Sequence, residues 1–140
     1  MEQLTELEQR ILSELEEAGE ESVLTLALTV LDGAGTHDEV EALKVALTNL
    51  TTAQLVRMSA SRGLDRRLTE LSSTASISAI ETINSFLRFD LQKSRWSDIR
   101  RSGPPFSDEF PYVVATDSGK NEGFQILDKR GYQWWRPRKT

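Results

Sequence analysis

At 140 residues the chain is long enough for one domain with a sizeable core, and 38% hydrophobic with 28% charged residues describes a globular protein, not a disordered one. It has no cysteine, which excludes disulfides, thiolate metal sites and thiol nucleophiles, and one histidine, which excludes any two-histidine metal site. The net charge of -5 is unevenly divided: residues 1–59 hold twelve acids and three bases, residues 60–140 ten acids and fourteen bases, so a phosphate-binding surface is expected in the second half if there is one.

No apolar run has the length of a membrane span, and the amino terminus lacks the basic-then-apolar order of a signal peptide, so a cytoplasmic protein without a membrane partner is expected. Leu4, Leu7, Ile11, Leu15 and Ala18 form one helical stripe widened by Leu12, with glutamates opposite and Gly19 ending the run. Glu20 to Leu31 is apolar nearly all round; acids at its start favour a buried helix over a strand through the terminal dipole. Asp32 to Gly35 then reads as a turn. From Thr36, a capping-box pair with Glu39 opens a helix whose Val40, Leu43, Leu47 and Leu50 share a face. Leu55 to Met58 reads as a short strand, Ala60 to Gly63 as a loop and Leu64 to Leu71 as a short helical piece.

Ser72 to Thr74 break the pattern before a second amphipathic stretch from Ser76, with Ile77, Ile80, Ile83, Phe86 and Leu87 on one face and Leu91 continuing it. That stripe either completes the core or pairs with its copy in a homodimer. Ser94 to Pro111 is a polar loop anchored by Trp96, Ile99, Phe106 and Phe110. Tyr112 to Ala115 is a strand candidate, followed by a short helix that Gly131 caps; Tyr132 to Trp135 is a final extended piece before a basic tail, residues 136–140. Adjacent on such a piece, Trp134 and Trp135 would face opposite sides, one in the core and the other either exposed for a partner, with Trp135 the interface candidate, or covered by the inserted segment.

The two segments Leu43, Leu47, Leu50, Leu55-Val56-Arg57 and Val113 to Lys120 with Ile126 to Gly131 together resemble the recognition helix, wing strands and closing helix of bacterial winged-helix regulators of the multiple-antibiotic-resistance or phenolic-acid type. The resemblance covers about half the chain. It implies an α+β, mainly helical fold: a winged-helix-like three-helix core with a two- or three-stranded antiparallel sheet. Residues 1–140 would form a single domain with an inserted helix plus loop over 60–111. The chain departs from the pattern where Gln54 stands in place of a frequent glycine, where the proposed wing strands lie about fifty residues apart, and where Asp38, Glu39 and Glu41 face a single Lys44.

The function the resemblance implies is a DNA-binding transcription regulator without a cofactor, its partners double-stranded DNA and a second copy or another protein. Arg62, Arg66 and Arg67 are the candidate phosphate contacts, with Lys44, Thr48, Asn49 and Arg57 toward the duplex. The alternative is a protein–protein interaction module on the same scaffold without DNA binding, which the acidic helices favour. No enzyme is expected: His37 and Asp38 have no nucleophile to complete a triad, Thr116 to Lys120 lacks the phosphate-loop spacing, and Asp108 and Glu109 lack the oxygen-ligand spacing of a calcium loop.

Overall fold

The computed structural model describes residues 3–31, 36–61, 68–83, 87–90, 92, 95–98 and 110–135. The chain is α+β and mainly helical, as its sequence leads one to expect, with five helices and six strands among the described residues. Helix α1 (Glu6–Ala18) starts at a reciprocal box: the Thr5 hydroxyl accepts from the Glu8 amide while the Glu8 carboxylate accepts from the Thr5 amide. It ends at Gly19, φ 89, whose amide donates to the Leu15 carbonyl.

The apolar run that follows is not one helix. Glu20–Ser22 form strand β1, and only Val23–Val30 form helix α2. The reason is local and distant at once. Ser22 is extended and its hydroxyl accepts from the Thr25 amide, which makes it the first cap of the helix. Upstream of it, Glu20 and Glu21 pair antiparallel with Val114 and Val113. Ladder bonds of that kind outweigh the weak preference of acids for a helix start.

Helix α3 (His37–Thr52) is capped by Thr36, whose hydroxyl accepts from the Glu39 amide, and buries Val40, Leu43, Ala46, Leu47 and Leu50. It stops in a Schellman arrangement. Gln54 takes φ 63, its amide donates to the Thr51 carbonyl, and the Leu55 amide donates to the Leu50 carbonyl. The chain then enters strand β2 (Val56–Ser61).

Strand β2 pairs antiparallel with β6 (Phe110–Ala115) from Val56 opposite Ala115 to Ser61 opposite Phe110, so two segments about fifty residues apart lie side by side. On its other edge β2 pairs with β3 (Leu68–Glu70), Ser59 opposite Glu70. The sheet order is β1-β6-β2-β3, four strands where two or three were expected. The helical piece expected over 64–71 is a strand where it is described, because Leu68 to Glu70 return along β2; residues 62–67 lie outside the described residues.

Ser72 starts helix α4 (Ser73–Glu81) instead of breaking it, its hydroxyl accepting from the Ala75 amide. The buried Ser76 hydroxyl accepts from the Met58 amide and fixes α4 to β2. The expected long helix is cut short: Leu87–Asp90 form β4, paired with β5 (Arg95–Asp98) in a separate two-stranded sheet with Phe89 opposite Trp96. Those two rings meet edge to face at 5.3 Å, a cross-strand pair that favours the hairpin over a further helical turn. Ile80, Ile83 and Leu87 are closed inside the core at 0–2% exposure, and Ile77 is half-buried. Ile80, Ile83 and Leu87 of the expected subunit stripe therefore belong to the core of one chain, where α4 packs on β2 and α3, and Phe86 lies outside the described residues.

Helix α5 (Asp117–Arg130) is capped by Thr116. The Thr116 hydroxyl donates to the Gln54 carbonyl and its amide to the Leu55 carbonyl, which staples α5 to the α3–β2 junction. Two glycines let α5 approach its neighbours: a Cβ on Gly119 would collide with the Leu55 carbonyl, and one on Gly123 with the Leu12 carbonyl of α1. The helix runs antiparallel along α1 until Arg130 meets Glu6 at 3.0 Å. Gly131, φ 97, ends it as expected. Residues 132–135 are a turn, not an extended piece, so the two tryptophans do not alternate. Both are half-buried: Trp134 Nε1 donates to Ser13 Oγ, and Trp135 Nε1 to the Thr29 carbonyl. Trp135, expected at an interface, is thereby tied to the end of α2. Among the described residues, no helix is long and apolar enough to cross a membrane.

Candidate interaction surface

Arg62, Arg66 and Arg67 lie outside the described residues, as do the pair Arg100 and Arg101 and the basic tail. The other candidate nucleic-acid contacts are described: Lys44 and Thr48 stand one turn apart on α3 with Asn49 beside them, and Arg57 is on β2. Lys44 Nζ sits 3.7 Å from Glu41 Oε1 with its side chain only 19% exposed. Arg57 lies 3.7 Å from Glu70 Oε1 and donates to Ser73 Oγ at 2.6 Å, with its side chain 22% exposed. Thr48 is half-buried. Asn49 is exposed, yet its Nδ2 donates to the buried Glu8 carboxylate of α1 at 3.1 Å. Two of these four side chains thus meet carboxylates of their own neighbourhood as cations, and a third as an amide donor.

What α3 turns outward is different. Its exposed positions follow a helical stripe: Asp38, Ala42, Val45, Asn49 and Thr52. Val45 is 58% exposed. The stripe borders an open cleft of about 240 Å³ lined by Glu6, Leu7 and Arg10 of α1, Val30 and Leu31 at the end of α2, and Glu39 and Ala42 of α3. Arg10, in the cleft wall, also caps α2. Arg10 NH1 donates to the Val30 carbonyl at 3.0 Å, satisfying one of the acceptors that the last turn of α2 leaves unused. Glu6 approaches Arg10 at 3.9 Å and Arg130 at 3.0 Å on the same side.

Leu28, 39% exposed, lies one turn before Leu31, and Val45 lies one turn after Ala42. Val45 therefore extends the apolar lining of the cleft along α3, and Leu28 is an exposed apolar side chain of α2 outside that lining. Asp38, Glu39 and Glu41 flank the lining. The cleft is smaller than the roughly 300–1,000 Å³ usual for small-molecule and cofactor sites. It suits a side-chain anchor better than a metabolite.

His37 is exposed and stands 3.6 Å from Glu41 Oε1 as the first residue of α3. Among the described residues no group of three histidines or carboxylates could hold a metal ion. The sequence puts Leu7 on the α1 stripe and Leu28 and Leu31 in a buried helix, and gives Ala42 and Val45 no role. For Val45 a signal existed: it falls off the face made by Val40, Leu43, Leu47 and Leu50. For Leu28 none did, because α2 is apolar on nearly every side. The chain matches no family model, no characterised protein and no solved structure.

Proposed function

We propose that this chain is a winged-helix-type domain that binds protein and does not read duplex DNA. The element order supports the scaffold: α1-β1-α2-α3-β2, then β6, with β6 central between β1 and β2 and antiparallel to both. Strand β3, α4 and the β4–β5 hairpin fall between β2 and β6 as an insertion. The observation that carries the functional reading is the surface of the α2–α3 corner. In a winged helix that reads DNA this is the side presented to the duplex. Here it offers Leu31, Ala42 and Val45 among Asp38, Glu39 and Glu41, and the cations described beside it are engaged within the chain, Lys44 with Glu41, Arg130 with Glu6 and Arg10 with the Val30 carbonyl. Phosphates reward cations at the surface and repel carboxylates, so this face loses the term that dominates DNA affinity. A cytoplasmic setting goes with the same reading.

The test is fluorescence anisotropy with a labelled random-sequence duplex at about 50 mM salt, where electrostatic binding is strongest. No saturable binding is expected. A second reading, the DNA-binding transcription regulator, draws support from one observation: Ser61 pairs with Leu68, so residues 62–67, with their three arginines, join two paired strands. Tight duplex binding that disappears in the R62A/R66A/R67A variant would establish this second reading and end the first.

A further inference from the structure

We infer that the chain pairs with a second copy of itself through the outer face of α5, the two helices lying antiparallel about a two-fold axis at Phe124. Asp117, Asn121, Phe124 and Asp128 are exposed and fall on one helical stripe, with Lys120 at its border. Phe124 is 62% exposed, more than any other large apolar side chain on a helix among the described residues, and Tyr132 is exposed just past the end of α5. The opposite face of the helix is fixed in place. Gly119 and Gly123 seat it against the backbone of Leu55 and Leu12, and Arg130 meets Glu6. The outer face is thus held rigid, which lowers the entropic cost of docking on it. Association through α5 is independent of what the α2–α3 corner meets.

Charge selects both the occupant and its direction. Lys120 stands one turn before Phe124 and Asp128 one turn after it, and neither makes an ion pair or a side-chain hydrogen bond with the described residues. They also stand the wrong way round for their own helix. Its dipole favours an acid at the start, as at Asp117, and bases at the end, as at Lys129 and Arg130. In an antiparallel pair centred on Phe124, each Lys120 comes level with the partner's Asp128, an ion pair on either side of the packed rings. A parallel pair would set lysine on lysine and aspartate on aspartate, which is repulsive. A two-fold contact requires a surface that complements itself, and charges of opposite sign at equal distances from one apolar centre meet that requirement. A surface of anionic lipid would meet two carboxylates here for one ammonium and be repelled. One helix pair of this length is a small contact, so the dimer is a weak one.

The test is sedimentation equilibrium of the full chain from about 5 to about 500 µM at about 150 mM salt. A monomer–dimer equilibrium with a dissociation constant of about 1–100 µM is expected. Phe124→Ala should weaken it by about tenfold or more. Lys120→Asp sets carboxylate against carboxylate across the axis and should do the same. Adding Asp128→Lys to Lys120→Asp exchanges the two charges and restores the cross-pairs, so the constant should return to within about threefold of the wild type. These positions face solvent, and thermal melts check that each variant keeps the fold; the exchanged variant, now suited to the helix dipole, should melt no lower than the wild type.

A chain that stays monomeric up to about 500 µM overturns the inference, as does a dimer that Phe124→Ala or Lys120→Asp leaves intact. A dimer that Lys120→Asp weakens and the charge exchange does not restore is not antiparallel at Phe124, with the same consequence. Flotation of a monomeric wild type with vesicles of zwitterionic lipid, lost in Phe124→Ala, assigns the face to a lipid surface and overturns it as well. So does a dimer that Ala42→Trp dissociates, which places the contact at the α1–α2–α3 cleft. A dimer that also binds duplex removes the protein-binding reading and keeps this inference; a monomer that binds no duplex does the reverse.

Discussion

Gln54 shows how much can turn on one backbone angle. It sits at φ 63, a region where a side chain costs free energy and glycine does not. Nothing else at that position is negotiable. Its amide closes the end of α3 onto Thr51, and its carbonyl accepts from Thr116 at the start of α5. Gln54→Gly should therefore stabilise the protein, by about 0.5–1 kcal/mol in a denaturant melt, since the folded strain removed exceeds the extra freedom given to the unfolded chain. A loss of stability would mean that the side chain has a packing role beyond its backbone. Gly119, a few ångströms away across the same junction, predicts the opposite sign. Its missing Cβ is occupied by the Leu55 carbonyl, which is backbone and cannot swing aside. Gly119→Ala should cost more than about 3 kcal/mol, the upper range for overpacking, and show a clear fall in melting temperature. An unchanged melt would show that α5 does not lie as close to the β2 entry as described.

Among the elements, α2 is the one most dependent on others. It has eight residues, too few to hold a helix in isolation, and no basic residue in its last turn. Two distant side chains complete it: Arg10 caps the Val30 carbonyl and the Trp135 indole caps the Thr29 carbonyl. Trp135→Phe keeps most of the ring contact and removes the donor, so it should cost about 1 kcal/mol, the net worth of one hydrogen bond. If the melt does not move, solvent replaces the indole at that carbonyl. The same dependence explains which elements were legible in the sequence. Helices α1 and α3 were, because their apolar spacing and caps lie within a few residues of each other. Strand β1 was not: Ser22 looked like the interior of an apolar run, and the pairing that makes Glu20 and Glu21 a strand comes from Val113 and Val114, about ninety residues away. Strand β4 was not either, since Leu87 continues the helical spacing of Ile80 and Ile83, and Phe89, off that face, finds its place only once Trp96 stands opposite. The surface proposed for the partner divides the same way. Val45 could be read as outward-facing from its place on α3, but the cleft exists only where α1, the end of α2 and α3 meet.

At the scale of the whole molecule, the pairing of β2 with β6 decides how the protein comes apart. Six residue pairs join segments about fifty residues apart, and each strand has a second neighbour, β3 beside β2 and β1 beside β6. Val56, Met58 and Val113 between them are fully buried. Breaking this ladder also releases α5, whose first turn is tied to Leu55 and whose length lies on α1. It should therefore open only with the whole domain. The β4–β5 hairpin is placed differently. It forms its own two-stranded sheet and shares no strand with the main one. Trp96 and Leu87 fasten it to the core, but a two-stranded sheet of four residue pairs holds little free energy by itself. In native-state hydrogen exchange, the bonded amides of β2 and β6 should then exchange with the free energy of global unfolding, and those of β4 and β5 several kcal/mol earlier. Equal protection in both would make the hairpin a full member of the cooperative unit and Trp96 its anchor. Earlier exchange in β2 and β6 than in the hairpin would mean that the central sheet does not organise the domain, and the winged-helix reading would lose its support.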